Sequence, residues 1–338
     1  FLNPASGGTF LYPMQNRFKR VLKSHHAGKL LTINNPQYRQ EVLQHTAFEL
    51  YNDLGGYSSG DVTSQLLFQQ PKKIKARIIS KSEGILAGME EMRFFVTGKW
   101  KNKAAKPFGT VQLTTLRSDG EKIHQGMSLA ELHGSITDIL KLERIVLNLL
   151  QRMSGIATLT SQFKSKIPHD ILLTPTRKTL WGLLDKKACV VGGGGTHRLG
   201  LYDGILVKDT HLKFFKHDLR KLFMILMQNA MNLAVRFIEI EIENINDGLK
   251  FAAYYKQFHQ KTGFGLPFYL LLDNIKPSDI NKFIKILKNK NDFDTIFLEA
   301  SGGITLKNIE KYGKSDVDVI SVGALTHSAQ ALDISLEI

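Results

Sequence analysis

The sequence has a single cysteine, Cys189, and one cysteine cannot form a disulfide within the chain. Cys189 lies in the segment KKACVVGG and is interpreted as a small apolar core residue. The chain also has no run of 18 apolar residues, so it contains no conventional transmembrane helix. Its first residues lack the basic-then-apolar order of a secretory signal. These absences favour a protein of the reducing cytoplasm that does not bind membranes.

Acidic residues are outnumbered, because 45 Lys and Arg stand against 31 Asp and Glu, a net charge of +14. A basic protein favours anionic partners, either nucleic acid or a small, highly charged substrate. Binding of nucleic acid through charge alone needs clustered Lys and Arg with interleaved aromatic residues. The basic segments KKIKAR, GKWKNKAAK and IKILKNKND are scattered instead. We therefore expect a small anionic substrate and no nucleic-acid partner, with a basic nucleic-acid-binding protein as the remote alternative.

The length of 338 residues allows two domains. Residues 1–37 show no reliable periodicity and are interpreted as an N-terminal extension of uncertain structure. Residues 38–140 are predicted to form a small α+β domain, since a helical segment that stops at Gly55 and Gly56 precedes alternating strand segments. Residues 141–326 are predicted to form a second α/β domain, and the C-terminal residues 327–338 are expected to pack on the first.

A long helix is predicted for SITDILKLERIVLNLLQRMSGIA, with Ser135 as its N-cap. After this helix, apolar runs alternate with helical stretches, which is typical of a parallel α/β sheet. The predicted strands lie in DILLTPTRK, ACVVGGGG, GILVKD, FIEIEIEN, FYLLLDN, TIFLEASGG and DVISVGAL. These are about seven strands, fewer than a complete (β/α)8 barrel has, so an incomplete barrel is predicted.

Charged residues stand at the carboxyl ends of these predicted strands. The residues are Arg177, Lys178, His197, Arg198, Lys208, Glu241 and Asp273. In a parallel barrel the loops at that end converge on the active site. The alternative is a set of ion pairs that only closes the end of the barrel. Charges after five successive predicted strands favour the active site.

The signs of these charges indicate the substrate. Guanidinium groups suit carboxylates and phosphates, because two N–H bonds meet two oxygens in one plane. Glu241 and Asp273 would face the cations, and paired carboxylates opposite a polyphosphate commonly bind Mg²⁺, often through water. Glu239 and Glu243 share the face of Glu241 by strand alternation. The residues alone therefore do not decide which of the three glutamates faces the metal.

Two glycine-containing turns follow the last two predicted strands. Ser301, Gly302 and Gly303 end IFLEASGG, and Gly323 follows DVISV, one βα unit further on. Such turns expose backbone N–H groups that bind phosphate. In barrels the loops after the last two strands are the usual phosphate site. Either turn alone could be an ordinary tight turn, but the pair favours a phosphate site.

At these residues the sequence resembles the quinolinate phosphoribosyltransferase family (nicotinate-nucleotide pyrophosphorylase, carboxylating). The matching segments are NDLGGYSSGDVTS, SKSEGILAG, LERIVLNLLQRMSGIATLT, TRKT, GGGGTHRLGLYDGILVKDTH, EIEIEN, LLDN, LEASGGIT and VDVISVGALTHS. The resemblance implies an N-terminal α/β sandwich followed by an open α/β barrel. It also implies transfer of a phosphoribosyl group from phosphoribosyl pyrophosphate (PRPP) to quinolinate with loss of CO₂, which gives nicotinate mononucleotide for NAD biosynthesis. Mg²⁺ and a homodimer, or a higher oligomer built from dimers, are implied as well.

The resemblance also implies roles for single residues. Arg144, the arginine of the ER pair, is implied to reach into the site of the partner subunit. The quinolinate carboxylates and PRPP phosphates are implied to contact Arg177, Lys178, His197, Arg198 and Lys208. The residues expected to be catalytic are Lys178, Lys208, Glu241 and Asp273, of which the two acids match the metal side. The 5′-phosphate turns match Ser301, Gly302, Gly303, Ser321 and Gly323.

The sequence departs from the family pattern in three loops. TRKTTPGLR is here TRKTLWGLL, with Trp181 at a usual proline, and Thr210 replaces the Asn of KDNH. Extra residues around QKTGFGLP separate Glu241 from Asp273. A molybdenum-transport-associated family is the alternative homologue, but it typically lacks the lysine that matches Lys208. We therefore favour the quinolinate enzyme and leave the geometry of these loops open.

Overall fold

The computed structural model describes residues 14–56, 60–70, 72–98, 111–230 and 232–338. Residues 1–13 of the predicted extension, residues 57–59 of NDLGGYSSGDVTS and most of GKWKNKAAK lie outside this set. The first elements are α1 (Met14–His25), a 3₁₀ turn (Gly28–Leu30), α2 (Pro36–Leu43), a π turn (Gln44–Phe48), α3 (Glu49–Asp53) and α4 (Val62–Leu67). They are followed by β1 (Lys73–Ser80), β2 (Gly84–Ile85), α5 (Met89–Val96), β3 (Gln112–Thr115), β4 (Lys122–Ile123) and β5 (Ser128–Ser135).

A four-stranded antiparallel sheet forms the centre of the N-terminal domain. Its order is β12-β1-β5-β3, where β12 (Ile334–Glu337) is the last strand of the chain. Strand β1 alternates buried Ala76 and Ile78 with exposed Lys75 and Arg77, so one face of the sheet joins the core. Strands β2 and β4 pair separately. The predicted α+β domain is confirmed, and the C-terminal strand lies on it through its pairing with β1.

A single helix, α6 (Ile136–Lys164), links the two domains. It has 29 residues and passes without a break through the predicted boundary after residue 140. Ser135 is its N-cap residue as predicted, but the Ser135 hydroxyl bonds to the Thr137 hydroxyl (2.8 Å) and caps no backbone N–H. None of the described helices, α6 included, is long and apolar enough to cross a membrane.

The second domain is built on a six-stranded parallel sheet. Its elements are β6 (Leu172–Thr174), α7 (Gly182–Val191), β7 (Ile205–Val207), α8 (Asp209–Phe214), α9 (Leu219–Ala230), β8 (Ile238–Ile242), α10 (Ile245–Thr262), β9 (Phe268–Asp273), α11 (Pro277–Asn289), a 3₁₀ turn (Phe293–Thr295), β10 (Phe297–Ser301), α12 (Ile309–Gly313), β11 (Val319–Ser321) and α13 (Ala324–His327). The strand order is β6-β11-β10-β9-β8-β7. Within the described residues β6 and β7 are the two edges, so the predicted open α/β barrel is confirmed.

The prediction of a strand in ACVVGGGG is wrong. Ala188 and Cys189 lie in the last turns of α7, and the helix ends at Val191 before Gly192. Leu183, Leu184, Ala188 and Cys189 are buried, which is the spacing of one helix face. A short apolar run with two valines is ambiguous between strand and helix unless the residues before it are included. Among the described residues the barrel therefore has six strands where seven were predicted.

The N-terminal segment 14–37 is part of the barrel rather than an appendage. Val21 of α1 is buried in an apolar cluster at the amino-terminal ends of five strands. Its partners there are Leu172, Phe237, Tyr269, Phe297 and Val319. Helix α1 thus closes the end of the barrel opposite the strand carboxyl ends. Phe18, Val21, Leu22 and His25 follow the i, i+3, i+4, i+7 spacing of one helix face, a pattern that the interpretation of residues 1–37 as an extension overlooked.

Arg17 attaches α1 to the barrel. Its guanidinium donates to both carboxylate oxygens of Asp318 (2.6 and 2.7 Å) and to the backbone carbonyls of Phe293 and Ile296. Asp318 is 7% exposed, so this ion pair is largely shielded from water. Because one partner of a buried pair leaves the other uncompensated when it is removed, Arg17 contributes to the folded state well beyond a surface residue.

We predict that Arg17→Ala lowers the free energy of unfolding by about 3–5 kcal/mol. Lys19→Ala, on the exposed side of the same helix, is the control and should change it by less than about 0.5 kcal/mol. Urea-induced unfolding followed by circular dichroism measures both. Equal, small effects of the two substitutions would show that α1 does not depend on the pair with Asp318.

Candidate active site

A cavity of about 430 Å³ opens at the carboxyl ends of the barrel strands. It is lined by Thr176, Arg177, Lys178, His197, Arg198, Leu206, Lys208, Glu241, Leu271, Asp273, Glu299, Ser301 and Ser321. All the predicted charged residues of the barrel therefore meet in one place. The parallel pairing explains this, since Ser301 pairs with Asp273, and Ser321 with Thr174, at the same edge of the sheet.

Cations form one side of the cavity. Arg177 and Lys178 follow β6, and Lys208 follows β7, with all three exposed to solvent in the mouth. Arg198 is 5% exposed and donates to the carbonyl of Gly204 (3.3 Å). Burial and then the neighbouring Arg177 lower the pKa of Arg198, although an arginine stays charged at neutral pH. Two guanidinium groups that repel each other favour an anion between them.

Two carboxylates form the other side. Burial and then Asp273 raise the pKa of Glu241. Burial and the nearby Glu243 raise the pKa of Asp273, against a hydrogen bond from the Asn274 side chain (2.7 Å) that lowers it. Carboxylates that disfavour each other's charge suit a cation with oxygen ligands. The pair could therefore hold a divalent metal in front of the cationic side.

The structure separates the three glutamates of β8. Glu239 is fully buried and does not line the cavity, Glu241 lines the mouth, and Glu243 follows the strand and is exposed. All three project from the same side of the chain, but at successive heights along the barrel axis. Only Glu241 combines contact with the cavity and access to solvent, which is what a metal ligand facing a substrate needs.

His197 and Arg198 are not at the end of a strand, contrary to the prediction. They lie in the loop 194–198 that follows α7 and the left-handed Gly193 (φ 90°). The loop runs beside β6, with the Gly195 N–H donating to the carbonyl of Leu173 (2.7 Å). Both side chains nevertheless reach the cavity. Charges at the mouth thus come from four strand ends and one loop.

Below the mouth, His197 lies between two buried glutamates. Its Nε2 is 3.2 Å from Glu239 and 3.3 Å from Glu299, and neither carboxylate is exposed. Burial lowers the pKa of His197, but the two carboxylates outweigh it and raise the pKa to about 9. Burial and then Glu299 raise the pKa of Glu239 to about 7. The three side chains therefore interact mainly through charge, since none of the four carboxylate oxygens has a hydrogen-bond partner among the described residues.

The Arg198 backbone N–H points at Nδ1 of His197 (2.7 Å) and can donate to it only while Nδ1 is unprotonated. This contact favours a single ring proton on Nε2 and works against the doubly protonated form that the two carboxylates favour. The donor atoms of His25, His197, Glu239 and Glu299 all lie within 4.8 Å of one another, which is compatible with a metal site by distance alone. A metal on Nε2 would have to displace a proton from the nitrogen that faces the two carboxylates. We therefore interpret His197, Glu239 and Glu299, hereafter the buried His–Glu cluster, as a charge cluster that holds His197 in place.

The two glycine-containing turns after β10 and β11 have features that suit the binding of a phosphate group close to the backbone. Gly302 (φ 84°) and Gly303 (φ 60°) follow Ser301 in the left-handed region. A Cβ at Gly302 would lie 2.7 Å from the backbone nitrogen of Asn274, so no larger residue fits. The Ser321 hydroxyl of the second turn is buried and has no hydrogen-bond partner among the described residues. These features support the predicted phosphate-binding role but do not test it.

The departure TRKTLWGLL forms an ordered turn. Buried Asp185 accepts hydrogen bonds from the Leu180 and Trp181 N–H groups (2.8 and 3.0 Å) and from two nitrogens of Arg152 (2.8 and 2.6 Å). Trp181 stacks on His45 with ring centroids 5.1 Å apart. The carboxylate of Asp185 thus holds the turn that follows Arg177 and Lys178 where the family pattern has proline.

Some residues of the site were missed and one predicted residue lies elsewhere. Glu299 could have been found, because a single acid inside the apolar strand TIFLEA is unusual, whereas His25 in α1 gave no signal. Arg144 is exposed on α6 and does not line the cavity of its own chain. Gly323 begins α13, and a Cβ there would lie 3.4 Å from the Lys178 side chain.

The fold and site together define an open α/β-barrel protein whose mouth suits a compact substrate with several negative charges. Comparison with known protein families identifies one family for both domains. Residues 61–154 match the family model described as Quinolinate phosphoribosyl transferase, N-terminal domain, and residues 156–337 match the corresponding C-terminal domain. The chain belongs to the quinolinate phosphoribosyltransferase family, as predicted.

Individual relatives agree with this assignment. A probable nicotinate-nucleotide pyrophosphorylase [carboxylating] of Bacillus subtilis is 35% identical, over 88% of this chain and 93% of the relative. A mitochondrial quinolinate phosphoribosyltransferase [decarboxylating] of Nicotiana glauca is 33% identical, over 88% and 82%. The solved nicotinate-nucleotide pyrophosphorylase of Francisella tularensis is 30% identical, with a TM-score of 0.71 over 88% of this chain and 96% of that one.

Proposed function

We propose that this protein transfers the phosphoribosyl group of PRPP to quinolinate and releases pyrophosphate and CO₂, with nicotinate mononucleotide as the product. The observation that carries the proposal is the division of one cavity into a cationic side and an acidic pair. Quinolinate carries two carboxylates, and PRPP carries a phosphate and a pyrophosphate. The relatives named above are described as enzymes of this reaction. The cavity carries cationic groups that can bind the negative charges of both substrates.

The cationic side would bind both substrates. Arg177 and Arg198 can each present two N–H groups to a carboxylate, and quinolinate between them would relieve their mutual repulsion. Lys178 and Lys208, at the ends of different strands, would bind the pyrophosphate as point charges. The turns at Ser301 and Ser321 would receive the 5′-phosphate.

Glu241 and Asp273 would hold Mg²⁺, directly or through water, and the ion when bound would neutralise the departing pyrophosphate. The chain's own groups do the rest by placement. Arg177 and Arg198 orient the pyridine nitrogen toward the anomeric carbon of the ribose. A C–N bond forms there as the bond to pyrophosphate breaks, with Lys178 and Lys208 balancing the charge that develops on the leaving oxygen.

Decarboxylation needs little further help from the protein. The ring nitrogen becomes positively charged once it has attacked, so it stabilises the electron pair left at carbon 2 when CO₂ departs. Carbon 2 then takes up a proton. A pyridine nitrogen has no proton to lose at neutral pH, so no general base is needed for the attack. Catalysis therefore rests on positioning and electrostatics.

We further propose a homodimer in which Arg144 completes the site of the partner. The support is its place: an exposed arginine on α6 that does not line its own cavity, at the position where the family has an arginine that crosses the interface. We also propose a reducing, cytoplasmic location, supported by the single cysteine, which is buried.

The first prediction concerns the substrate. Arg198→Ala should lower kcat/KM for quinolinate by at least about thirtyfold, or about 2 kcal/mol, because a bound carboxylate loses its partner. Arg220→Ala, an exposed arginine of α9, is the control for net charge and should be unchanged. Formation of nicotinate mononucleotide from quinolinate, PRPP and Mg²⁺ is the measurement. Equal turnover of nicotinate by the unmodified protein would instead indicate a different phosphoribosyltransferase.

The second prediction concerns the metal. A chelator should abolish activity and excess Mg²⁺ or Mn²⁺ should restore it, since both are hard cations that prefer oxygen ligands. Glu241→Gln should reduce kcat/KM for PRPP by about tenfold to a hundredfold. Glu243→Gln, on the same strand face but outside the cavity, is the matched control and should be nearly neutral. Full activity in excess chelator contradicts the proposed role of the metal.

The third prediction concerns the shared site. Arg144→Ala and Lys178→Ala homodimers should each be nearly inactive. Coexpressed in equal amounts, the two chains should recover about a quarter of the normal activity, because half of the dimers are mixed and each has one intact site of two. Heterodimers purified through two different tags should show about half of the normal activity, since every dimer then has one intact site of two. No recovery in purified heterodimers would place the action of Arg144 in its own subunit or exclude it altogether.

A further inference from the structure

We infer that the N-terminal segment positions the substrate-binding loop 194–198 from beneath, and that His25 is the positioning residue. The inference rests on the proposed function insofar as Arg198 binds quinolinate. It concerns a part of the chain that precedes the two family-model matches, the first of which begins at residue 61. His25 is the last residue of α1 and is fully buried.

The ring of His25 is fully buried inside the barrel and contacts three other rings. It stacks on Phe237 with centroids 4.0 Å apart, lies 4.2 Å from the ring of Tyr269, and meets His197 edge-on at 4.8 Å. Its Nε2 is 3.7 Å from the Glu299 carboxylate. Burial and then His197 lower the pKa of His25 well below its usual value, so the ring is neutral. A neutral aromatic ring here fills space beside the buried His–Glu cluster without adding charge.

The backbone of His25 holds the loop directly. Its carbonyl accepts hydrogen bonds from the N–H groups of Thr196 (3.0 Å) and His197 (2.9 Å). The Thr196 hydroxyl in turn accepts from the N–H of Ala27 (2.9 Å). A Cβ at Gly195 would lie 3.0 Å from the same His25 carbonyl, so the loop and the segment 25–27 are in tight contact. The two segments are thus joined by these three hydrogen bonds and by a longer one from the Thr196 hydroxyl to the His25 carbonyl (3.2 Å).

This contact holds the loop in an unfavourable conformation. His197 has φ 52°, a left-handed backbone that residues other than glycine adopt rarely. Such a conformation persists only when its surroundings hold it in place. The bond from the His197 N–H to the His25 carbonyl acts on that very residue. Arg198 follows directly, so a shift of the loop would move both the imidazole and the guanidinium in the cavity.

The segment itself is fixed independently of the loop. Arg17 pairs with Asp318, and the Ser24 hydroxyl is 2.6 Å from the Tyr269 hydroxyl. Helix α1 is therefore anchored to the barrel strands, and His25 transmits their position to the loop. The groups proposed to bind PRPP and the metal, Glu241 and Asp273, stand on β8 and β9 themselves. Loss of the His25 contact should therefore affect quinolinate more than PRPP.

The test compares His25→Ala, His25→Phe and Val21→Ala. Val21 is the matched control because it lies one helical turn earlier, is 1% exposed and packs in the apolar cluster at the barrel bottom. In His25→Ala we expect the amides of Thr196 and His197 to exchange hydrogen at least about tenfold faster, because their acceptor is no longer held. KM for quinolinate should rise at least about tenfold, and KM for PRPP less than about threefold.

The controls separate positioning from general destabilisation. His25→Phe keeps the stacked ring and should restore both exchange and KM towards the unmodified values. Val21→Ala should lower the melting temperature without either effect. The inference is overturned if His25→Ala leaves the loop amides and the quinolinate KM unchanged, if Val21→Ala reproduces its effects, or if the phenylalanine fails to rescue.

A second variant covers the case in which His25→Ala does not fold. Thr196→Val removes the hydroxyl that accepts from the Ala27 N–H and that also lies within donating distance of the carbonyls of His197 (2.8 Å) and His25 (3.2 Å). It should raise exchange at residues 196–197 and the quinolinate KM in the same direction. An unchanged loop in this variant also overturns the inference. The exchange measurement needs no substrate. If the unmodified protein makes no nicotinate mononucleotide while His25→Ala loosens the loop as expected, the proposed function fails and the positioning stands.

Discussion

The structure depends on the burial of two carboxylates at the centre of the barrel. Glu239 and Glu299 have no exposed surface, and a buried carboxylate without a partner is costly. Nε2 of His197 lies 3.2 Å from Glu239 and 3.3 Å from Glu299. A displacement of the loop that carries His197 would therefore leave both buried carboxylates without this partner. Arg198, the next residue, is thereby held at the mouth. A charge arrangement one layer below the cavity thus positions a group that faces the substrate.

Charged and apolar residues occupy different layers along the barrel axis. The layer at the bottom is apolar and aromatic, with Phe237, Tyr269 and Phe297 packed against α1. The buried His–Glu cluster comes next, and the mouth carries solvent-accessible groups of both signs, Glu241 among them. The alternation of β8 places Glu239 and Glu241 in successive layers of the same interior. A dry, low-dielectric base strengthens the field that the mouth can exert on a bound anion.

The sequence was sufficient for the parts that follow from strand alternation. It placed Arg177, Lys208 and Asp273 at one edge of a parallel sheet, because each ends an apolar run, and the structure brings them into one cavity. It could not separate helix from strand in ACVV, since four apolar residues have no period of their own. Nor could it choose among the glutamates of β8, because height along the axis depends on how the strands pair.

The contribution of α1 could not be predicted for a different reason. The family models match residues 61–154 and 156–337, whereas the barrel bottom is closed by α1, which precedes them. Closure is required physically, because aromatic rings at the strand starts and carboxylates above them would otherwise meet water. Many helices could meet that need, so no particular pattern is demanded of this segment. Helix α1 has an additional property, because the carbonyl of its last residue, His25, accepts hydrogen bonds from the loop 194–198. A segment that closes the core thereby also determines the geometry of the site, because the barrel is narrow enough that the bottom and the binding loop are neighbours.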